Sequence, residues 1–161
     1  MNIILLSGGS GKRLWPLSND VRSKQFIKLF KNGDAYESMV QRVYRQLKKV
    51  DENSNITIAT SKTQVSVIHN QLGDNVSVSV EPCRRDTFPA IALSTAYLHY
   101  VKNVSLDDSV VVCPVDPYVE DAYFECIKDI YEYSCTGQSN LTLMGIAPTE
   151  PSEKFGYIMP K

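Results

Sequence analysis

The sequence predicts an α/β fold, a Rossmann-like and mostly parallel sheet with helices on both faces. Three observations support this class. Strand-like and helix-like segments alternate along the chain, an apolar run at its start leads into a glycine-rich turn, and polar residues follow several predicted strands. Parallel neighbours need a crossover connection, usually a helix, so the alternation indicates a sheet with helices on both sides. The length of 161 residues is typical of one domain.

The individual elements follow from the spacing of apolar residues. Residues 2–7 are mostly apolar and are predicted to be the first strand. Residues 35–50 are predicted to be one amphipathic helix, because Met39, Val43 and Leu47 recur at helical spacing. The other predicted elements are, in order, a strand at 55–60, a helix at 62–72, a strand at 76–81, a helix at 87–102, a strand at 109–115, a helix at 122–134, a strand at 141–146 and the start of another at 156–159.

The composition excludes several classes of function. Lys and Arg number 17 and Asp and Glu number 18, so the net charge of −1 does not favour nucleic-acid binding. No apolar run approaches the roughly 20 residues that span a bilayer. The 4 cysteines lack C-x-x-C spacing, which indicates reduced thiols rather than a zinc site. We therefore expect a cytoplasmic protein without nucleic-acid or membrane partners.

The turn after the first strand has the composition of a phosphate-binding loop. Gly8, Gly9 and Gly11 allow the backbone to approach a ligand closely. Successive amide N–H groups in such a turn form a concave anion site. Lys12 and Arg13 add full positive charges that a phosphate can use. The alternative interpretation is a tight turn whose charges only face solvent.

The spacing excludes two well-known glycine loops. A Walker A loop needs a glycine where this chain has Leu6 and a hydroxyl where it has Arg13. A dinucleotide-binding fingerprint needs a small residue where this chain has Leu14. Pro16 disfavours helical backbone at Trp15, so the loop is expected to stay irregular beyond its glycines.

Polar segments follow several of the predicted strands. The glycine-rich turn follows the first strand, residues 81–86 follow the third, Asp116 follows the fourth, and residues 147–149 follow the fifth. In open α/β sheets, ligands bind at the carboxyl ends of the strands. The sequence therefore predicts a ligand site at the rim where these segments meet.

Four sequence blocks occur in order along most of the chain. They are LLSGGSGKRLWPLS followed by SKQF, then EPCRRDTFPAIA, then CPVDPYV, and finally GIAPTEPSEKFGYI. Together these blocks resemble the sugar-1-phosphate nucleotidyltransferases, and most closely the mannose-1-phosphate guanylyltransferases. The resemblance implies a nucleotide-diphospho-sugar transferase fold. It also implies that residues 1–161 are the N-terminal, nucleotide-binding portion of a truncated catalytic domain, without the C-terminal sugar-binding portion.

The resemblance further implies an activity and its partners. Mannose 1-phosphate and GTP would give GDP-mannose and pyrophosphate in a Mg²⁺-dependent reaction. A sugar-phosphate oxygen is already a nucleophile, so the protein mainly aligns the reactants and neutralises charge. The expected partners are the two substrates, together with a second copy of the chain or the missing C-terminal portion.

The resemblance also assigns roles to individual residues. Arg13 would hold the triphosphate and stabilise the leaving pyrophosphate. Lys24 would contact the α-phosphate, and Asp116 would bind Mg²⁺. The residues assigned to nucleotide binding are Gly8, Gly9, Gly11, Lys12, Glu81, Arg85 and Thr87.

Several of these assignments have simpler alternatives. Lys24 could be a solvated lysine, and Asp116 could cap a turn or a helix. Glu81 could pair with Arg85 instead of contacting a nucleotide, and Arg84 could belong to an ordinary charged loop.

The chain also departs from the family pattern. Ser23 stands where the family usually has proline, which predicts a less stiff loop. Asp86 and Phe88 stand where it usually has asparagine and alanine, and Pro117 stands where it usually has histidine. Residues 153–155 differ in the block that lies toward the sugar. Two alternatives therefore stay open: a non-catalytic nucleotide-binding or regulatory subunit, and a transferase for another sugar phosphate and nucleotide.

Overall fold

A computed structural model of the chain describes residues 1–9, 16–18, 23–154 and 156–159. The strands are β1 (Asn2–Leu6), β2 (Lys28–Asn32), β3 (Ala35–Ser38), β4 (Asn55–Ser61), β5 (Ser77–Glu81) and β6 (Val110–Pro114). The helices are α1 (Met39–Val50), α2 (Val65–Leu72), α3 (Thr87–Lys102) and α4 (Asp121–Ser134). Short 3₁₀ turns at Lys24–Phe26 and Lys62–Gln64 precede β2 and α2.

The central sheet has four strands in the order β5-β4-β1-β6. All its neighbouring strands are parallel, as the alternating sequence predicted. β1 lies between β4 and β6, with Leu5 opposite Ile58 on one side and Cys113 on the other. Because the strands run the same way, the segments that follow β1, β5 and β6 emerge at one rim of the sheet.

Helices cover both faces of this sheet. Ile3 and Leu5 of β1 pack in a core with buried residues of α1, α2 and α4. Ile4 of β1 and Ala59 of β4 pack on the opposite face with Leu98 of α3. Alternate residues of a strand point to opposite faces, so a strand covered on both sides is apolar throughout. This placement explains the apolar run at the start of the chain and confirms the predicted fold class.

The prediction of one helix over residues 35–50 is wrong in its first four residues. Ala35–Ser38 forms β3, which pairs antiparallel with β2 across a turn where Gly33 has a φ of 60°. α1 begins after Ser38 because Ser38 Oγ accepts the Gln41 backbone N–H, while Gln41 Oε1 accepts the Ser38 N–H. This capping box satisfies two N–H groups that the helix leaves unpaired and fixes its start.

The predicted strand at residues 141–146 is also wrong. The structure assigns no strand to those residues, and Leu141, Leu143 and Ile146 are exposed. Within the described ranges, β6 pairs with β1 on one side only. A strand is stable only when its backbone N–H and C=O groups find partners. Residues 147–149 therefore do not extend the rim as a fifth strand end, and residues 156–159 likewise form no strand.

The predicted helix at residues 62–72 is confirmed as a 3₁₀ turn that continues into α2. It ends before Gly73, whose φ of 92° is accessible mainly to glycine. In the part of the chain that the structure describes, no helix is long and apolar enough to cross a membrane.

Candidate functional site

The carboxyl ends of three strands bring together several of the predicted site residues. Gly8 follows β1, Glu81 ends β5, and Asp116 follows β6. β1 and β6 are direct neighbours, with Leu6 opposite Pro114 at their last paired residues. The glycine loop and Asp116 therefore leave the sheet side by side, as the sequence predicted.

Lys24 and Asp116 are joined by an ion pair at this rim. Lys24 Nζ lies 3.0 Å from Asp116 Oδ2. The exposed fractions of the two side chains are 42% and 56%, so both can reach a ligand from solvent. Exposed ion pairs contribute little to stability, about 0–1 kcal/mol. This pair can therefore open at low cost when a ligand offers each charge a better partner.

Glu81 lies against the glycine loop from the β5 side. A methyl group built on Gly8 would come within 3.2 Å of Glu81 Oε1, so the backbone and the carboxylate are in close approach. Burial of Glu81 raises the pKa of its carboxyl group, and the positive charge of Arg84 partly opposes this shift. The structure contains no ion pair between Glu81 and Arg85 among the described residues. Glu81 thus places a buried carboxyl group at the edge of the loop.

Buried polar side chains support the glycine loop from beneath. Gln25 Nε2 donates to the Ser7 carbonyl oxygen at 2.6 Å. Ser23 Oγ donates to the Gly9 carbonyl oxygen at 2.9 Å. The Gln64 amide lies 2.6 Å from Ser23 Oγ and extends this network into the protein. The Ser23 hydroxyl thus makes a contact that proline could not make, and the expectation of a less stiff loop stays a prediction.

The segment that carries Asp116 is held by an aromatic and cationic stack. The rings of Tyr118 and Phe30 are 5.4 Å apart and nearly parallel. The Arg42 guanidinium lies 4.7 Å from the centre of the Tyr118 ring and donates to the Val119 carbonyl oxygen at 3.3 Å. These contacts tie the segment after β6 to β2 and α1.

Arg85 and Thr87 lie near the start of α3 and are exposed. Thr87 is bonded locally, since Asp86 Oδ1 accepts its backbone N–H at 2.8 Å. Asp86 has a φ of 72° and a ψ of −169°, a backbone conformation that residues other than glycine rarely adopt. Although Asp86 departs from the family pattern, its side chain caps the start of α3. The nucleotide-binding roles of Arg85 and Thr87 stay predictions.

Gly11, Lys12 and Arg13 lie outside the described residues, so their predicted roles also stay predictions. The roles predicted for the described residues Lys24, Asp116, Gly8, Gly9 and Glu81 are compatible with their positions.

The donor set fits Mg²⁺ only in the company of substrate phosphates. No group of three or more His, Cys, Asp or Glu side chains suitable for a metal occurs among the described residues. Mg²⁺ is commonly bound through one or two carboxylates, with phosphate oxygens and water completing its shell. Asp116, half-exposed at the rim, can supply one such carboxylate.

The supporting roles of Gln64 and Tyr118 were not predicted from the sequence. Arg84, which the sequence left undecided, has Nη2 3.5 Å from the Gly9 carbonyl oxygen. Gln64 lies in the 3₁₀ turn before α2, a helix with several polar residues, so no local pattern marks it, and its contact with Ser23 spans 41 residues. Its role is thus visible only in the fold.

Comparison with known proteins identifies the family of the chain. A sequence profile of the nucleotidyl transferase family matches residues 2–161. A mannose-1-phosphate guanylyltransferase from Escherichia coli is 33% identical over 162 aligned positions, which cover 96% of this chain and 33% of that protein. The xanthan biosynthesis protein XanB from Xanthomonas campestris pv. campestris (strain B100) is 35% identical, again over 96% of this chain and 32% of its own length.

The chain spans about a third of the length of these curated relatives. A crystal structure of a putative glucose-1-phosphate thymidylyltransferase from Bacillus anthracis has a similar fold, with a TM-score of 0.57. That match covers 80% of this chain and 50% of the other at 23% sequence identity. At this identity the likeness bears on the fold alone.

Proposed function

Because the chain belongs to the nucleotidyl transferase family, we propose that it catalyses, or forms the nucleotide-binding part of a protein that catalyses, the formation of GDP-mannose and pyrophosphate from GTP and mannose 1-phosphate. The observation that carries this proposal is the pairing of Lys24 with Asp116 beside the glycine loop. A cation and a metal-binding carboxylate at one rim are what a triphosphate requires.

The chemistry needs no protein nucleophile. An oxygen of mannose 1-phosphate attacks the α-phosphorus of GTP, forming one P–O bond while the bond to pyrophosphate breaks. Negative charge moves onto the leaving pyrophosphate, so the protein contributes by alignment and by charge stabilisation. The amide groups of Gly8 and Gly9 face the nucleotide, and Arg13 holds the triphosphate.

Ligand binding gives Lys24 and Asp116 new partners. Lys24 turns to the α-phosphate and neutralises part of its charge. Asp116, released from Lys24, would hold Mg²⁺ together with phosphate oxygens and water. When bound, Mg²⁺ would offset the negative charge of the triphosphate. Each group thus exchanges an exposed ion pair for a charge-assisted contact with substrate.

The choice of GTP and mannose 1-phosphate rests on the relatives' names and on the sequence blocks. The Trp15-Pro16-Leu17-Ser18 and Lys24-Gln25-Phe26 segments favour this branch of the family. The segments that contact the sugar would lie in the two-thirds of the relatives' length that this chain does not span.

Pyrophosphate release provides the test. The chain is incubated with Mg²⁺, mannose 1-phosphate and GTP, ATP, UTP or dTTP in turn, and the GTP reaction is repeated with glucose 1-phosphate. We expect turnover with GTP and mannose 1-phosphate and a fall of about 10²–10³ in Asp116→Ala. Asp121→Ala is the matched control, because it removes another exposed carboxylate that pairs with a lysine, Lys49, at 2.6 Å.

The other outcomes are equally informative. Tight GTP binding without turnover would exclude catalysis by this chain alone and would support a nucleotide-binding part, either of a longer enzyme or of a non-catalytic or regulatory subunit. Preference for a different nucleotide or sugar phosphate would support a transferase for that pair. Equal turnover in Asp116→Ala and the Asp121→Ala control would contradict the proposed role of the rim.

A further inference from the structure

Two side chains with no exposed surface contact the glycine loop from inside the protein. Ser23 and Gln64 both have an exposed fraction of 0%. Ser23 Oγ donates to the Gly9 carbonyl oxygen at 2.9 Å, and the Gln64 amide lies 2.6 Å from Ser23 Oγ. Burying polar groups is costly unless they are hydrogen-bonded. The pair is therefore a buried polar network whose outer end is the loop itself.

The amide of Gln64 reaches the loop in either of its two orientations. In one, its nitrogen donates to the Gly9 carbonyl oxygen at 3.3 Å. With the amide turned over, its nitrogen donates to the Ser7 carbonyl oxygen at 3.3 Å, and its oxygen accepts from Arg84 at 3.2 Å. Thr60 Oγ1 donates to the Gln64 oxygen at 2.8 Å in the first orientation and accepts from the Gln64 nitrogen at 2.8 Å in the second. In that second orientation the Gln64 oxygen also accepts from Ser23 Oγ at 2.6 Å, so the single hydroxyl proton of Ser23 is not available to the Gly9 carbonyl oxygen. Gln64 thus donates to a loop carbonyl in both orientations, whereas Ser23 donates to Gly9 only in the first.

A third buried residue holds the same stretch of backbone. Gln25 is 1% exposed, and its Nε2 donates to the Ser7 carbonyl oxygen at 2.6 Å. The C=O and N–H groups of a trans peptide unit point in opposite directions. With the Ser7 carbonyl held toward Gln25, the Gly8 N–H faces away from Gln25. A carbonyl group that points into the protein therefore leaves the N–H group of the same peptide unit pointing outward. Outward N–H groups of this kind are the donors that an anion binds.

We propose that Ser23 and Gln64 are positioning residues, which hold the carbonyl groups of the glycine loop inward so that its N–H groups are set for the triphosphate before it binds. The identity of this ligand rests on the proposed function. Preorganised donors need no rearrangement when charge arrives, and this makes them effective in an anion site. Ser23 replaces the proline expected from the family resemblance, so the Ser23–Gln64 bond is a feature of this chain.

The test compares Gln64→Leu, Ser23→Ala and the double variant with the wild-type chain. Leucine is close to glutamine in size but cannot hydrogen-bond, and Ser23→Ala is the milder change should Gln64→Leu fold poorly. Gln46→Leu is the matched control, because Gln46 is also buried and its Nε2 donates to Asp121 Oδ1 at 3.2 Å, on α1 rather than at the loop. Two readouts are taken: the ¹⁵N–¹H resonances of Gly8 and Gly9 without nucleotide, and the Kd for GTP by calorimetry.

We expect Ser23→Ala and Gln64→Leu each to shift both glycine resonances and to weaken GTP binding by on the order of tenfold. The double variant should be little worse than the more severe single variant, because the two residues belong to one network. Gln46→Leu should lower Tm to a similar extent yet leave both glycine resonances and the Kd unchanged. A purely structural role would not produce this difference.

Two results would overturn the proposal. One is a lower Tm in both single variants with unmoved Gly8 and Gly9 resonances. The other is moved resonances with an unchanged Kd in a chain that binds GTP. If the wild-type chain binds no GTP, the proposed function fails by itself. The glycine resonances then still decide whether Ser23 and Gln64 position the loop.

Discussion

The two halves of the rim are held by different kinds of contact. The glycine loop after β1 rests on buried hydrogen bonds from Ser23, Gln25 and Gln64. The segment after β6 is held by the exposed Lys24–Asp116 ion pair and by the stack on Tyr118. Buried bonds are protected from water, whereas exposed pairs exchange partners readily. The difference indicates that the glycine loop is preformed, whereas Asp116 beside it can exchange Lys24 for another partner.

This division suits a site that receives a highly charged ligand. Backbone N–H groups bind phosphate best when they are already oriented, because reorienting them would reduce the gain from binding. A carboxylate that receives a metal with its substrate benefits instead from a temporary cation, which screens its charge until the ligand arrives. Under the proposed function, Lys24 would fill that place for Asp116, which it contacts at 3.0 Å.

The largest effect is expected from Lys24→Ala. Turnover should fall by about 10²–10³, because the variant lacks a cation aligned with the reacting phosphate. Tm should change little, because the ion pair with Asp116 is exposed. Pyrophosphate release and thermal unfolding check the two parts. Lys49→Ala, which removes the exposed ion pair with Asp121, is the control and should keep full turnover.

The next effect is expected from Tyr118→Ala. Loss of the contacts with Phe30 and Arg42 should lower the free energy of unfolding by about 1 kcal/mol. It should also weaken Mg²⁺-dependent GTP binding several-fold, because the segment that carries Asp116 is held less firmly. Urea denaturation and calorimetry measure these changes. Tyr36→Ala, at an exposed tyrosine of β3, is the control, and identical results for the two variants would argue against the stack.

A smaller effect is expected from salt, which should weaken the contacts in one half of the rim and not in the other. A double-mutant cycle on Lys24 and Asp116 should give a coupling of about 0.2–1 kcal/mol in the free energy of unfolding. This coupling should shrink as salt is raised from about 0.05 M to 0.5 M, because exposed charges are screened. A cycle on Ser23 and Gln64 should be nearly insensitive to salt. Equal salt dependence in the two cycles would remove the distinction between the halves.

The smallest effect concerns the pH dependence of Glu81. Burial raises the pKa of its carboxyl group above the ordinary value of 4.5, so the folded state holds this proton to higher pH than the unfolded state. The contribution of Glu81 to the free energy of unfolding should therefore fall as pH rises from that ordinary value to the raised folded one. Urea denaturation between about pH 4 and 7 should show that the free energy of unfolding falls less steeply with pH in Glu81→Gln than in the wild-type chain. An equally steep fall in both would contradict the raised pKa of Glu81.

The sequence predicted the fold wherever periodicity and local signals agree. The helix at 87–102 has the bounds of α3, and Gly73 marks the end of α2 as expected. The hairpin of β2 and β3 was missed because Ala35–Ser38 leads into α1 with no glycine or proline between them. Its signals were the turn at Gly33 and the capping box of Ser38 and Gln41. A strand at 141–146 was expected from apolar residues alone, but strand formation also needs a paired neighbour.

The charged residues of the candidate site could be predicted from the sequence, but the buried residues that hold the glycine loop could not. The sequence motifs identify Lys24 and Asp116 as candidate site residues. The rule that ligands bind at the carboxyl ends of strands then predicts the rim at which they lie. The bond between Ser23 and Gln64 depends on contacts across 41 residues, which no local pattern encodes. Buried polar networks are therefore the part of this site that needs the folded chain.

Titration of the ¹⁵N-labelled chain with GTP and Mg²⁺, followed by NMR, tests the central claim most directly. We expect saturable shifts in the backbone resonances of Gly8, Gly9, Lys24 and Asp116, with little change in those of Val112 and Met144, which line the groove between β6 and α4. Saturable shifts confined to that groove, or no saturable shifts at all, would contradict the proposal that the rim binds the triphosphate.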